Sequence, residues 1–187
     1  MEERIFMEVT ILKHPTDEDW ILCKTCTLVT VNKHSVKPPT DEWKVKLLKA
    51  THSPIRTLTF CFLLTDIPSW VSVHLVRHVH ATPFVQTQRN DRQDKYDRGA
   101  ARQDQPVSMC WYMNAEELIT IAHKRLCMKA SPETRQLVKM ICEAVIAVNP
   151  EFKELLVPNC VYRGGLCDEF DKCPTPPYKI TDEKSNS

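Results

Sequence analysis

Between residues 70 and 89 an apolar segment runs directly into a dense group of basic and hydrogen-bonding side chains, and this junction constrains the chain most. Proline is well tolerated in the first turn of a helix, so the pattern predicts a helix from Pro68 to about His78. Four aromatic or basic side chains then share one face of that helix: Trp70, His74, Arg77 and His78. Because unpaired cations are costly to bury, the junction is either a site for an anion or a solvated basic face.

Length and charge limit the function classes. The 187 residues, 42% of them hydrophobic, predict a single domain over residues 1–173. The polar, proline-containing segment 174–187 predicts a disordered tail. A formal net charge of +1 gives no overall attraction for nucleic acid or an anionic membrane, so we expect neither as a partner. Any anion must be bound by a local cluster of cations.

The cysteines and the N-terminal residues predict a compartment. No run of about 18 apolar residues occurs, and the acidic N-terminus is unlike a signal peptide. Nine cysteines, an odd number, lie partly within apolar helical patterns, which indicates packed free thiols in a reducing, cytoplasmic compartment. The alternative is structural zinc, with Cys23 and Cys26 at zinc-knuckle spacing and further thiolates from Cys160, Cys167 and Cys173. That alternative would make the chain a zinc-stabilised nucleic-acid-binding module.

Hydrophobic periodicity predicts both strands and helices. Alternating or β-branched runs predict strands at 4–14, 21–31 and 57–65. Besides the helix at 68–78, capping residues and apolar stripes predict helices at 40–50, from Asn114 to about Arg125, at 132–148 and at 150–157. Asn114 is a strong N-cap, and Glu117 stands three residues later at capping-box spacing.

Two features concern phosphate binding. The segment 86–105 is almost wholly polar, with arginine and aspartate interleaved, and its length predicts a functional loop. Glycine occurs only at Gly99, Gly164 and Gly165, so neither a P-loop nor a dinucleotide-binding glycine fingerprint is present. Side chains and helix ends would therefore have to hold the phosphates of any nucleotide.

The segment 77–89 resembles the signature R-H-R-x-x-S-x-N-x-x-S-x-R of the flavin-dependent thymidylate synthases, the ThyX family. Five positions are in register: Arg77, His78, Thr82 and Thr87 in place of serines, and Arg89. The departures are Val79, where the family has its second arginine, and Phe84, where it has asparagine.

Two other segments extend the resemblance to roughly residues 50–173. Thr51-His52-Ser53-Pro54-Ile55-Arg56 is similar to a family segment whose small hydroxyl residue contacts flavin, with Arg56 in place of a usual glutamate. Trp111-Tyr112-Met113-Asn114-Ala115 resembles the family's W-x-x-N-A, and Lys124-Arg125-Leu126-Cys127 its K-R-L-C. Eleven residues advance a helix by about 16 Å through nearly three turns, so Asn114 and Arg125 fall on one stripe.

The resemblance implies roles for individual residues and no metal ligand. Arg125 would be the catalytic residue that activates the uracil ring. The implied cofactor contacts are Ser53, Arg77, His78, Val79 and Asn114. The implied substrate contacts are His74, Arg77, Gln86, Thr87, Gln88, Arg89, Arg98 and Arg125, with Arg98 sixteen positions before Asn114. The glutamines carry the donors and acceptors that a uracil edge needs.

The resemblance also implies a fold and a reaction. The fold would be α+β, with a mostly antiparallel central sheet packed with helices, in a homotetramer whose active sites lie at subunit interfaces. The reaction would be reductive methylation of dUMP to dTMP, with methylenetetrahydrofolate, NADPH and FAD. Val85, Glu116 and Thr120 also depart from the family pattern, so another pyrimidine substrate or product remains an alternative.

Overall fold

The computed structural model describes residues 6–89 and 97–173. The first residues of the predicted strand 4–14, the middle of the predicted polar loop and the predicted tail 174–187 lie outside the described residues.

A four-stranded sheet forms the centre of the fold. Its strands are β1 (Glu8–Lys13), β2 (Thr59–Pro68), β3 (Thr82–Val85) and β4 (Pro106–Asn114). They lie in the order β1-β2-β4-β3, and every neighbouring pair is antiparallel. This confirms a mixed α and β architecture with an antiparallel sheet. The short edge strand β3 was not predicted from the sequence pattern.

The described part of the chain also forms six α-helices. They are α1 (Asp17–Val29), α2 (Asp41–Lys49), α3 (Ser69–Leu75), α4 (Ala115–Arg125), α5 (Pro132–Val148) and α6 (Asn159–Tyr162). The predictions for α2, α4 and α5 are confirmed, and Thr40 and Asn114 are the N-caps of α2 and α4. The predicted helix 150–157 is only a 3-10 turn at Pro150–Phe152.

The prediction of a strand at 21–31 is wrong, because residues 17–29 form α1. The Thr16 hydroxyl accepts the Asp19 backbone N–H, and the Asp19 side chain accepts the Thr16 backbone N–H. This capping box starts the helix, and Trp20 and Cys23, three residues apart, are buried against the core. The β-branched and sulfur-containing residues misled the prediction, since tertiary burial overrides such weak propensities.

The predicted helix 68–78 is also too long. Helix α3 ends at Leu75, and the backbone N–H of His78 closes a turn onto the Leu75 carbonyl at 3.1 Å. Trp70 and His74 do share a face, with ring centroids 5.3 Å apart, but Arg77 and His78 lie in the turn. The chain has to reverse here so that β3 can pair with β4. The turn directs His78 toward α4.

One face of the sheet carries the core. Phe60, Phe62 and Leu64 of β2 are buried, as is Trp111 of β4, and they pack with the apolar sides of α4 and α5. Residues that alternate with them on β2 and β4 are partly or fully exposed. In the described residues we find no helix long and apolar enough to cross a membrane.

Candidate active site

Arg125, the last residue of α4, is held by two hydrogen bonds. Its Nε–H donates to Nε2 of His78 at 2.9 Å, and Nη2 donates to the backbone carbonyl of His74 at 2.9 Å. The side chain is half-buried. Its other terminal nitrogen, Nη1, makes no hydrogen bond within the described residues, so the guanidinium is fixed along one edge and can bind a ligand along the other.

His78 connects Arg125 to a buried carboxylate. Its Nδ1 lies 3.2 Å from Oε1 of Glu117, whose side chain is only 7% exposed. The ring packs edge-on against the buried Trp111, with centroids 6.2 Å apart. Burial, and secondly the charge of Arg125, lowers the pKa of His78 to about 4. His78 is therefore neutral near pH 7 and does not compete with Arg125 for an anion.

Two guanidinium groups converge at the end of α3. Burial, and secondly the charge of Arg77, lowers the pKa of Arg125, which means that the two cations repel each other. Arg77 is exposed, and neither arginine has an ion pair with a carboxylate among the described residues. Two uncompensated cations of this kind favour binding of an anionic ligand.

His74 is held on the other side of the same turn. Its Nδ1 lies 3.2 Å from the Thr134 hydroxyl of α5, which in turn accepts a hydrogen bond from Ser131 at 2.8 Å. Because the His74 carbonyl binds Arg125, this contact ties the end of α3 to both α4 and α5. Four of the predicted site residues are thus brought together: His74, Arg77, His78 and Arg125.

The predicted substrate residues after β3 lie elsewhere. The Gln86 carboxamide oxygen accepts the Ser108 backbone N–H at 3.0 Å, and Gln88 Nε2 donates to the Ser69 hydroxyl at 3.4 Å. The Thr87 hydroxyl accepts the Arg89 backbone N–H at 3.2 Å. Ser69 starts α3, whereas Arg125 binds near its end, about 9 Å away along the helix axis. Within one chain these residues form a second cluster.

Ser53 and Asn114 lie in a third region, near the start of α4. Ser53 is exposed at the start of the 3-10 turn Ser53–Thr57, which packs against β4 and α4. Asn114 lies at the opposite end of α4 from Arg125, as its spacing predicts, and its Oδ1 accepts the Glu117 backbone N–H at 2.9 Å. That bond caps the helix and leaves the amide –NH2 for a ligand.

Val79 is 83% exposed in the turn after α3. Arg98 begins a 3-10 turn, and its side chain lies outside the described part.

Two of the departures from the family pattern contact each other. Arg56 Nε donates to Oε2 of Glu116 at 2.6 Å, and Nη2 donates to Oε1 at 3.2 Å. The resemblance has glutamate at the first position and arginine at the second, so the two departures exchange opposite charges between two residues that contact each other in this chain. They therefore do not count as two separate lost contacts.

The first two cysteines of the zinc alternative lie in a helix and not in the turn of a zinc knuckle. Cys23 and Cys26 lie on helix α1, and the buried Cys23 thiol donates to the Pro54 carbonyl at 3.3 Å. Burial raises the pKa of Cys23 to about 11, which keeps it a thiol. Over residues 6–89 and 97–173, no three His, Cys, Asp or Glu side chains are grouped so as to hold a metal ion.

Glu117 contacts His78 in this site, although the sequence prediction did not include it among the site residues. Its spacing from Asn114 predicts a capping box, in which its carboxylate would bind back to the N-cap backbone. The structure retains only the Asn114 half of that motif, and the Glu117 side chain is directed to His78 instead. Burial of the glutamate side chain at this cap position would have indicated the contact with His78, but the burial of a single residue cannot be predicted from the sequence.

The sequence matches no family model and no curated protein. Solved structures do resemble the fold. Thymidylate synthase X (ThyX) from Helicobacter pylori, in complex with FAD and dUMP, superposes with a TM-score of 0.64 at 14% identity, covering 83% of this chain and 99% of that one. The UMP/dUMP methylase PolB from Streptomyces cacaoi, bound to 5-Br dUMP, superposes with a TM-score of 0.62 at 13% identity, covering 81% and 95%. At this level of identity the comparison establishes that the chain has a ThyX-like fold.

Proposed function

We propose that this chain is an enzyme of the ThyX type that methylates a pyrimidine nucleotide, with dUMP as its substrate. In the reaction, dUMP, methylenetetrahydrofolate, NADPH and a proton give dTMP, tetrahydrofolate and NADP⁺. A bound FAD would carry the hydride from NADPH to the transferred carbon. The likeness to two structures that contain dUMP or a brominated dUMP supports this proposal.

The observation that carries the proposal is the arrangement around Arg125. Its guanidinium is fixed by His78 and by the His74 carbonyl, and Nη1 has no hydrogen-bond partner within the described residues. A cation held in a fixed position can stabilise negative charge that develops on N3 and O4 of a uracil ring. That charge makes C5 a better nucleophile toward a one-carbon unit, so no cysteine nucleophile is needed.

The donors present suit the anionic groups of a nucleotide and of FAD. Arg77 is exposed beside Arg125, and the chain has no glycine-rich loop that could hold phosphates by its backbone. Ser53 and the –NH2 of Asn114 are the other donors that we assign to the flavin. Both ring nitrogens of His78 are engaged within the chain, so we assign it to holding Arg125 and not to a direct flavin hydrogen bond.

We further propose that the active site is shared between subunits of a homotetramer. The predicted ligand-binding residues fall in three separate clusters of one chain, which a neighbouring subunit can bring together. Apolar surface is available for association: Val79, Phe84 and Val73 are 83%, 64% and 57% exposed. Phe84 lies opposite Cys110, on the face of the sheet that the helices leave uncovered. Exposed apolar surface of this kind is typical of protein interfaces.

A second candidate is a methylase that also accepts UMP. The likeness to PolB, named as a UMP/dUMP methylase, is nearly as strong as the likeness to ThyX. The two activities differ in whether the site tolerates a ribose 2′-hydroxyl, and the residues around Arg125 do not discriminate between them.

One experiment tests both candidates. The purified protein is first examined for a flavin absorbance spectrum, with and without added FAD. It is then incubated with methylenetetrahydrofolate, NADPH and either dUMP or UMP, and the methylated nucleotide is identified by mass. We expect product from dUMP. Product from UMP at a similar rate would favour the second candidate, and no flavin binding together with no product would refute the proposal.

A further inference from the structure

Glu117, His78 and Arg125 form a chain of hydrogen bonds in which the proton positions can be deduced. The Nε of arginine always carries a hydrogen, so the contact of 2.9 Å requires Nε2 of His78 to accept. A neutral imidazole that accepts at Nε2 carries its hydrogen on Nδ1. That hydrogen points to Oε1 of Glu117, 3.2 Å away. The three side chains are therefore compatible with one tautomer of His78 only.

Without Glu117 this tautomer keeps only the contact with Arg125 and loses the acceptor of its Nδ1–H. Among the described residues the Glu117 carboxylate is the partner of Nδ1, and the ring packs against the apolar edge of Trp111. If Nδ1 lost its acceptor, the ring could move its proton to Nε2, and two N–H donors would then face each other across the contact with Arg125. The contact would be repulsive, and Arg125 would turn away.

We infer that Glu117 is a positioning residue, which holds His78 in the Nδ1–H tautomer so that Nε2 orients the guanidinium of Arg125 toward the ligand. The catalytic consequence rests on the proposed function of Arg125, but the tautomer and the orientation do not. The arrangement resembles the outer partners of metal-bound histidines, whose loss costs about 10- to 100-fold in activity or affinity.

Glu116 provides a matched control for Glu117. It is the preceding residue of the same helix turn, and its carboxylate binds the exposed Arg56. Glu117→Met removes the acceptor at similar size, Glu117→Gln keeps an acceptor oxygen, and Glu116→Met removes an equivalent carboxylate that does not contact His78. We expect kcat to fall about 10- to 100-fold in Glu117→Met, to fall much less in Glu117→Gln, and to be unchanged in Glu116→Met.

Substitutions of His78 test the same inference without touching Glu117. The side-chain oxygen of a glutamine can take the place of Nε2, whereas the shorter asparagine reaches only the position of Nδ1. His78→Gln should therefore keep Arg125 oriented, and His78→Asn should lose kcat as Glu117→Met does. The double variant Glu117→Met/His78→Gln should resemble His78→Gln alone, because the amide has no tautomer to be fixed. If the kcat of the double variant falls as far as that of Glu117→Met, the role of Glu117 is merely structural and the inference fails.

An NMR measurement separates this inference from the proposed function. Nitrogen-15 spectra of the wild-type protein should show His78 neutral with its proton on Nδ1, and a coupling across the hydrogen bond from Arg125 Nε to His78 Nε2. Glu117→Met should lose both signatures, and Glu116→Met should keep them. A protein with these signatures but no turnover of dUMP would refute only the proposed function. A proton on Nε2 in the wild-type protein would refute the inference whatever the activity.

Discussion

Glu116 and Glu117 are neighbours in the first turn of α4, yet their carboxylates lie in opposite environments. Glu116 binds the guanidinium of Arg56 at the surface, where the two side chains are 37% and 59% exposed. Glu117 is buried and accepts a hydrogen bond from the neutral ring of His78. Burial raises the pKa of Glu117, which reflects the cost of a carboxylate away from water.

The difference shows which changes a fold of this kind tolerates. At the surface, water screens the ion pair, so its two charges can be exchanged without loss of the contact. In the interior, each donor requires its acceptor, and a single replacement leaves a polar group unpaired. We therefore expect sequence divergence to accumulate at contacts like that of Arg56 with Glu116, and the contacts of Arg125 to be far less tolerant.

The largest expected effect concerns two arginines: Arg125, which Glu117 reaches through His78, and Arg56, which Glu116 binds directly. On the proposed function, Arg125→Ala should lower the rate of dUMP methylation by about 10²- to 10³-fold, because it removes the fixed cation that we assign to the uracil ring. Arg56→Ala should leave the rate near that of the wild type. Steady-state rates with saturating dUMP and reductant, together with the flavin spectrum, measure both variants. Equal losses in the two variants would show that the distinction between interior and surface contacts has no bearing on catalysis.

The next effect is a dependence of stability on pH. The pKa of His78 is lowered from 6.5 to about 4 in the folded protein. Between these values the unfolded chain binds the proton and the folded chain does not, so stability falls as the pH drops from about 6.5 to about 4. Below pH 4 both states are protonated, and the loss ends. The contribution is up to about 3 kcal/mol, since one pKa unit corresponds to about 1.4 kcal/mol.

Other groups near His78 modify this profile. Glu117 and Arg125 face the ring directly, Arg77 lies near Arg125, and His80 and Glu116 lie near Glu117. The raised pKa of Glu117 acts in the opposite direction, because the folded protein then holds the proton more tightly as the pH falls. Urea unfolding of the wild type and of His78→Gln between pH 4 and 7 isolates the histidine. The slope against pH should be smaller in the variant, and equal slopes would contradict the lowered pKa.

A smaller effect is expected when each glutamate is removed. Glu117→Ala leaves Nδ1–H of His78 without its acceptor, and we expect a loss of about 1–3 kcal/mol in the free energy of unfolding. Glu116→Ala removes only a surface partner and should leave that free energy unchanged within error. Urea midpoints at pH 7 compare the two. A larger loss in Glu116→Ala than in Glu117→Ala would reverse the comparison.

The sequence predicted the parts of this site that depend on local spacing. The separation of eleven positions from Asn114 to Arg125 was enough to place them at the two ends of one helix, and α4 has these ends. The contact of Arg125 with His78 could not be predicted, because it depends on α3 ending at Leu75 and not at His78. The helix ends early because β3 pairs with β4, which is a long-range effect.

Long-range contacts also explain the errors in the predicted fold. Helix α1 was predicted as a strand because its composition favours one, although the capping box of Thr16 and Asp19 was legible in the sequence. Glu117 was interpreted as a helix cap because that explanation was sufficient by itself. In both cases the local sequence pattern was compatible with two structures, and burial against other elements decided which of them forms.

The smallest expected effect comes from exchanging the charges of the surface pair. Arg56→Glu alone and Glu116→Arg alone each place like charges together, and both should lower the unfolding midpoint slightly at low salt. The double variant restores an ion pair in the orientation that the family resemblance implies, so its midpoint should return to that of the wild type. High salt should reduce all of these differences, because the pair is exposed to solvent. If the double variant remained destabilised at low salt, the two positions would have separate roles, and the departures at Arg56 and Glu116 would again count as two independent changes.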